Sequence, residues 1–466
     1  MRRALLCLVL FACTPPARPT PVAKTAAAPP PVSAPASAPP LPPPAPAART
    51  VPELAFEPLR VNDKPLRRVF AIEGATIVTT ENVVGYIDGD RVEWIAKVPR
   101  DRSYGRNVIV HVDGKYLDRI DVIMESDNGR ANAPIWLPLT GKGTLHDETF
   151  GGLGEMAEAR IGDSVLIVTH SGMNNDRITT VRGPTLTRRF VGAKDCKGSF
   201  YGQAYVQAHI NELAAVRASA FQSTASGTLV SIGDRCGEND PYAEVWPAGS
   251  TTSKLVSLGA YWKRVGYYRT AAIRDGQDGL WIRGSEVMPL LHFQNGAFER
   301  QPGPDAPVGN VFLSNDGRLH VRAADEILRL DATGTWEVVA RLASAPARIT
   351  DLVMDSAGRL WAADEKEVYR LRETKQVPAE RPCPGWLVAL TDDNPNSAAP
   401  ERAALEKVVA DYPKQPGLKL VTRRSYPWMS AVSFATRAEA EAFAAYAAAA
   451  LPKEKPATFC HVFDPE

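Results

Sequence analysis

The sequence predicts a mainly β fold, a seven-bladed β-propeller followed by a small α/β domain of ferredoxin-like β-α-β-β-α-β order. Three observations predict it. A short phrase recurs with a period near 40 residues, short alternating strands fill the intervals, and beyond Pro378 the pattern changes to helices set among strands.

The phrase appears as Asp278-Gly279-Leu280-Trp281, Asp316-Gly317-Arg318-Leu319-His320 and Ser356-Ala357-Gly358-Arg359-Leu360-Trp361, with its leucines 39 and then 41 residues apart. An acid and a branched residue follow each copy (Glu286-Val287, Glu326-Ile327, Glu367-Val368). Two copies then reach a turn with an aromatic, Gly296-Ala297-Phe298 and Gly334-Thr335-Trp336. Four-stranded blades have this period and this turn chemistry, whereas helical repeats of the same length need a 3.6-residue apolar period that is not visible here. Glycine supplies the positive φ of a tight hairpin, Asp or Asn caps it, and the Leu-Trp pair is expected to start an inner strand facing the next blade.

Weaker copies lie at Gly85–Val92, His111–Tyr116, Gly162–Val168 and Ser226–Val230, which makes seven. Spread over Arg67 to Val377, seven copies give about 44 residues per blade. Six or eight blades stay open, because the section from Cys196 to Tyr268 is irregular. The phrase resembles the propeller repeats in sensor domains of bacterial two-component regulators and in related periplasmic propellers, which implies a binding or sensing module. Some propeller relatives, the gluconolactonases and strictosidine-synthase-like hydrolases, hold calcium on the axis through Glu, Asn and Asp. A Ca2+-dependent lactonase or ester hydrolase is therefore the alternative to a non-enzymatic binder that needs no cofactor.

After a linker at 378–384, residues 385–466 read as strand Trp386–Thr391, helix Pro400–Asp411, strands Leu418–Arg423 and Met429–Phe434, helix Arg437–Ala450 and strand Thr458–Phe463. Pro400 suits a first helical turn, and Thr436 with Glu439 forms a capping box. The run from Val432 to Ala442 resembles the SPOR family of peptidoglycan-binding domains, which implies a glycan ligand; Trp386–Thr391 lacks the polar residue and glycine which that family carries in its first half.

At the other end, Met1-Arg2-Arg3, the apolar run Ala4–Ala12 and Cys13 read as a signal peptide over 1–12. The apolar run is far below the roughly 20 residues that span a bilayer. Leu10-Phe11-Ala12-Cys13 resembles the lipobox of bacterial lipoproteins, which implies a lipid on Cys13. Thr14, where an Asp would favour the inner membrane, points by that resemblance to the outer membrane, facing the periplasm or the surface. Residues 13–50 are mostly Pro, Ala, Ser and Thr and read as an extended tether with a reach on the order of 100 Å. The propeller takes 51–377.

Of six cysteines, Cys196, Cys236, Cys383 and Cys460 remain after the signal peptide and the lipid site. An even number in an exported chain suggests two disulfides. The domain boundary selects Cys196 with Cys236 and Cys383 with Cys460 among three pairings. A zinc site has no C-x-x-C to rest on. The net charge of +1, with both signs interspersed, offers no face for nucleic acid. His209-Ile210-Asn211-Glu212 is not H-E-x-x-H, and neither G-x-S-x-G nor a P-loop occurs. Ser171–Asp176 reads as an Asx-rich hairpin, His146-Asp147-Glu148 and His170 as structural residues, and His320 as a packing residue in the tryptophan position. The expected partners are the membrane, through the lipid, and a protein or glycan of the envelope.

Overall fold

The computed structural model describes most of residues 49–460. Residues 1–48, 461–466 and several internal stretches lie outside the description, the longer ones being 98–106, 127–134, 138–155, 192–215, 263–269 and 392–398; from 96 to 219 the backbone alone is described. Cys13, Cys196, Cys236 and His146 therefore fall outside it, as do His209 and the hairpin loop 172–174.

Strand β1 (Thr50–Pro58) comes first and is used last. The rest of the array runs through the chain as consecutive antiparallel sheets. They are β2 (Arg68–Ile72), β3 (Ala75–Thr79), β4 (Val83–Asp88) and β5 (Arg91–Lys97); then β6 (Asn107–Lys115), β7 (Arg119–Ser126) and β8 (Ile135–Leu137); then β9 (Met156–Ile161), β10 (Ser164–Ser171), β11 (Asn175–Arg182) and β12 (Thr185–Val191). Next come β13 (Val216–Ser223), β14 (Leu229–Arg235), β15 (Pro241–Trp246) and β16 (Lys254–Ser257), followed by β17 (Ala271–Arg274), β18 (Leu280–Arg283), β19 (Leu290–Gln294) and β20 (Ala297–Gln301). The last two sheets are β21 (Val308–Leu313), β22 (Leu319–Ala323), β23 (Glu326–Leu330) and β24 (Trp336–Ala343), and β25 (Asp351–Met354), β26 (Leu360–Ala363) and β27 (Val368–Pro378).

Neighbouring sheets meet through their first strands, β2 with β6, β9 with β13, β13 with β17 and β21 with β25. β25 also meets β2, so the last sheet returns to the first and the array is a propeller. β1 supplies the missing outer strand of the last sheet, antiparallel to β27 from Thr50↔Pro378 to Pro58↔Tyr369. It pairs at the same time in parallel with β24 at Glu53↔Arg341 to Ala55↔Ala343, tying the last two sheets together at their outer edges. Radial repetition leaves only short, protected inner edges, and β1 covers two outer ones.

Apolar cores lie between sheets. Val230, Ile232, Ala243, Trp262, Leu280, Ile282 and Phe293 form one, and Leu66, Val69, Val78, Trp361, Ala363 and Val368 form the one that joins last sheet to first. Each fully buried Leu, Ile or Val contributes about 1.5–3 kcal/mol, so the stability of the ring rests on sheet-to-sheet contact.

The recurring phrase starts the second strand of its sheet, β18, β22 or β26, rather than the innermost one. Its turn is a five-residue loop: the amides of Asp275, Ser314 and Asp355 donate to the carbonyls of Gly279, Arg318 and Arg359 at 2.9, 3.0 and 2.9 Å. The weaker copy at Gly85–Val92 falls in the β4–β5 hairpin, not the first hairpin of its sheet. Any tight Asp-Gly hairpin has the same local sequence, so the phrase alone does not say which hairpin it marks.

Beyond the ring, β28 (Trp386–Thr391), β29 (Val421–Arg423), β30 (Met429–Phe434) and β31 (Ala457–Cys460) form an antiparallel sheet of order β29-β30-β28-β31. Helices α1 (Ala399–Ala410) and α2 (Arg437–Ala450) pack on it through Leu405, Val409, Phe443 and Ala447 against Val388, Leu390, Val432 and Phe434. Thr436 caps α2, its side chain accepting from the Glu439 amide while the Glu439 carboxylate accepts from the Thr436 amide at 3.0 Å. Among the described residues no helix is long and apolar enough to cross a membrane.

Candidate functional site

The terminal sheet meets the propeller at the loop Pro302–Ala306, which links β20 to β21. The Cys460 amide at the end of β31 donates to the Asp305 carbonyl at 2.6 Å, and Arg437 Nη1 at the start of α2 donates to Asp305 Oδ2 at 3.1 Å. A crevice opens on each side of this bridge. The larger, about 1020 Å³, is lined by Trp336, Asp325 and Val338 of the sixth sheet and by Trp386 and Arg437 of the terminal sheet and helix. The smaller, about 460 Å³, lies between Tyr261, Met288 and Val308 and residues Ala457, Thr458 and Phe459 of β31.

Local chemistry sets each wall residue. Asp331 Oδ1 caps its turn by accepting from the Thr333 and Thr335 amides, both at 2.8 Å, and Gly334 turns the chain at φ 83°. That turn delivers Trp336, whose Nε1 donates to the Pro302 carbonyl at 2.6 Å and so fixes the indole in the crevice wall. In the terminal domain the Arg437 guanidinium lies 5.1 Å over the Trp386 ring, and its Nε donates to Glu441 at 2.7 Å.

Between the two units runs the linker. Arg341 on β24 is 1% exposed and holds it from below, with Nε to the Pro378 carbonyl at 3.0 Å, Nη2 to the Ala379 carbonyl at 2.6 Å and Nη1 in an ion pair with Glu326. Burial raises the Glu326 pKa, against which the Arg341 charge pulls it down. Arg381 Nη1 donates to Asp325 Oδ2 at 2.6 Å. Pro382 and Pro384 stiffen the path to β28, and Cys383 and Cys460 stand at disulfide distance with their Cα atoms 5.6 Å apart. Both line the larger crevice.

Of the candidate site residues named from the sequence, Cys383 and Cys460 reach this site; Glu326, Trp336 and Trp386, named there only as strand and turn residues, line it as well. His320 lies elsewhere, buried on the sixth sheet and stacked on Phe312 of the paired strand at 5.2 Å. A pair that the sequence reading passed over, His292 with Asp275 at 2.7 Å, has the look of an acid-base dyad. It is structural: Asp275 Oδ1 caps the phrase turn from the Gln277 and Gly279 amides, and the His292 ring stacks flat on Trp281 at 4.0 Å. Among the described residues no three His, Cys, Asp or Glu converge to hold a metal ion. The crevice itself was not legible, since it exists only where residues near 305, 336, 381 and 437 come together, and no local pattern announces that.

No family model matches the chain, and no curated protein matches it. Among solved structures it is similar to a streptogramin B lyase (TM-score 0.47, 13% identity, covering 69% of this chain and 97% of that one). It is also similar to YCF48 bound to D1 peptide (0.46, 10%, 70% and 98%) and to the extracellular domain of a putative hybrid two-component system from B. thetaiotaomicron (0.44, 10%, 70% and 40%). At these scores nothing is carried from them to the site. The sheet order alone establishes a mainly β, propeller-type scaffold.

Proposed function

We propose that the protein is a non-enzymatic, lipid-tethered lipoprotein of the cell envelope, anchored through Cys13 in the outer membrane. In this reading a seven-bladed propeller carries a ferredoxin-like, SPOR-like domain, and the crevice between the two holds an envelope protein or glycan. The observation that carries it is the crevice: an open space of about 1020 Å³ between two folded units, lined by Trp336 of one and Trp386 of the other, with a few fixed charges at the rim. Binding sites concentrate at such boundaries, where aromatic surface supplies contact area and sparse polar groups set orientation. Counting β25–β27 with β1 as one blade, the consecutive sheets support seven blades.

The test is made in cells with full-length protein. Cys13→Ala should move the protein out of the membrane fraction. A photo-crosslinking residue at Glu380, on the crevice rim, should give an adduct that disappears with Trp336→Ala, while the same residue at Asn295, an outer hairpin turn, should not. Equal adducts from both positions would sink the crevice as the binding site.

A further inference from the structure

We infer that Cys383–Cys460 is a redox latch that holds the terminal domain against the propeller and so sets the width of the larger crevice. The inference deepens the binding reading by naming a regulation of the same site, and it rests on that reading only for its biological purpose. Besides the Ala379 amide, which holds the linker by donating to the Arg49 carbonyl at 2.9 Å, four attachments join the two units on this side. Arg341 clamps the linker at Pro378 and Ala379, and Arg381 pairs with Asp325. The disulfide ties the linker to β31, and β31 and α2 reach Asp305 through the Cys460 amide and Arg437.

The first two attachments hold the linker, not the domain. The last two hold the domain, and both involve Cys460 or its immediate surroundings. Arg437 and Asp305 are 55% and 52% exposed, so their pairing is worth little by itself. The Asp305–Cys460 hydrogen bond is a single backbone contact at the edge of the sheet. β31 is also joined to the linker through its pairing with β28, Trp386↔Cys460, but Pro384 and Gly385 lie between, and the disulfide is the direct tie from this weak contact to the clamped linker.

Both cysteines line the open crevice and neither is fully buried, so a dithiol can reach them. One thiolate of the dithiol attacks a sulfur of the bridge and forms a mixed disulfide; the other protein sulfur leaves as a thiolate and takes a proton. The second thiol of the reductant then displaces the remaining protein sulfur. Two protein thiols and one reductant disulfide result. With Cys460 free of the linker, β31 leaves Asp305, and the domain swings about the Arg341 clamp.

The measurement is amide hydrogen exchange on the full chain, untreated, reduced with dithiothreitol, and re-oxidised, with alkylation and mass analysis to establish the thiol state. Reduction should speed exchange of the Cys460 amide at least about tenfold, a loss of about 1.4 kcal/mol of protection. The change should reverse on re-oxidation, leave peptides of β17–β20 unchanged, and be reproduced by the double variant Cys383→Ser with Cys460→Ser in the absence of reductant. Unchanged exchange at Cys460 with both thiols alkylated would overturn the latch, as would acceleration across the whole propeller, which would make the bond a staple of the fold. No ligand enters the measurement, so it fails or succeeds independently of the crevice's role in binding.

Discussion

Arg68 on β2 and Asp351 on β25 join the two ends of the ring: Nε and Nη2 of Arg68 donate to Oδ2 and Oδ1 of Asp351 at 2.6 and 2.8 Å across 283 residues of sequence. The Val69 amide adds a third, longer bond to the same carboxylate at 3.4 Å. Related contacts join other neighbours near the axis, from Arg274 to Ser223 and from Asn310 to the carbonyl of Thr350. A two-pronged, charge-assisted pair that is three-quarters buried or more is about twice as strong as a neutral hydrogen bond. Asp351→Ala should therefore lower stability by about 2–3 kcal/mol, and a double-mutant cycle with Arg68→Ala should show coupling. Additive losses would mean the pair does not help close the ring.

Asp355 should be the most sensitive position in the recurring turn. Its Oδ1 accepts from the Ala357 and Arg359 amides at 3.0 and 2.8 Å, and its Oδ2 from the Arg359 guanidinium and the buried Trp361 indole at 2.6 and 2.9 Å. Burial pushes this carboxyl up, but the hydrogen bonds from Trp361 and Arg359 outweigh it, and its pKa lies below the ordinary carboxylate value. A depressed carboxylate contributes stability that is present above its unfolded pKa and is lost as the pH falls through its folded pKa. Asp355→Asn should flatten the acid limb of the stability curve below pH 4. It should also cost about 1–3 kcal/mol at neutral pH, because the amide NH2 faces two of the four donors and the other two keep only a neutral acceptor. An acid limb identical to that of the parent would refute the assignment.

The difference between what could and could not be read from the sequence follows the range of the interaction. The Thr436–Glu439 box is a four-residue pattern and is found as written. The strands of the array show as local alternation, and the chain is mainly β as expected. The second role of β1 was illegible, because its nine residues pair with partners near 341 and near 373, and strand alternation does not name partners. Arg341 gave no sign either. An arginine on an outer strand reads as a solvated charge until the carbonyls of Pro378 and Ala379 are brought over it.

His320 takes the tryptophan position of a blade whose turn begins with Ser314 instead of Asp. The Trp361 indole bonds the Asp355 carboxylate, and no such carboxylate waits at Ser314, so a smaller ring stacked on Phe312 fills the place. Burial pushes the His320 imidazole below its ordinary value of 6.5. The unfolded chain then takes up a proton as the pH falls through about 6.5 that the folded chain refuses. Stability is full above that pH and declines below it until the folded pKa is reached, by at most about 1.4 kcal/mol per pH unit. His320→Phe keeps the stacking on Phe312, and the Arg318 carbonyl it vacates still accepts from the Ser314 amide at 3.0 Å. Urea midpoints at pH 7.5 and 5.5 should therefore lie closer together in the variant than in the parent, and an unchanged gap would place the titration elsewhere.

Arg341 makes the sharpest demand on side-chain identity. It is 1% exposed, and its planar fork serves two linker carbonyls and the Glu326 carboxylate at once. Lysine keeps the charge but concentrates its donors at one nitrogen, so it cannot reproduce that spread. Arg341→Lys should lose about 1–3 kcal/mol, and Arg341→Met about 3–5 kcal/mol, because the Glu326 carboxylate is then left without its buried partner. Adding Glu326→Gln to Arg341→Met should recover part of that loss by removing the stranded charge. Calorimetric melts of the four proteins test the ordering. If the Glu326→Gln addition made matters worse, the pair would not be what holds Arg341 in place, and the carbonyls of Pro378 and Ala379 alone would have to account for its burial.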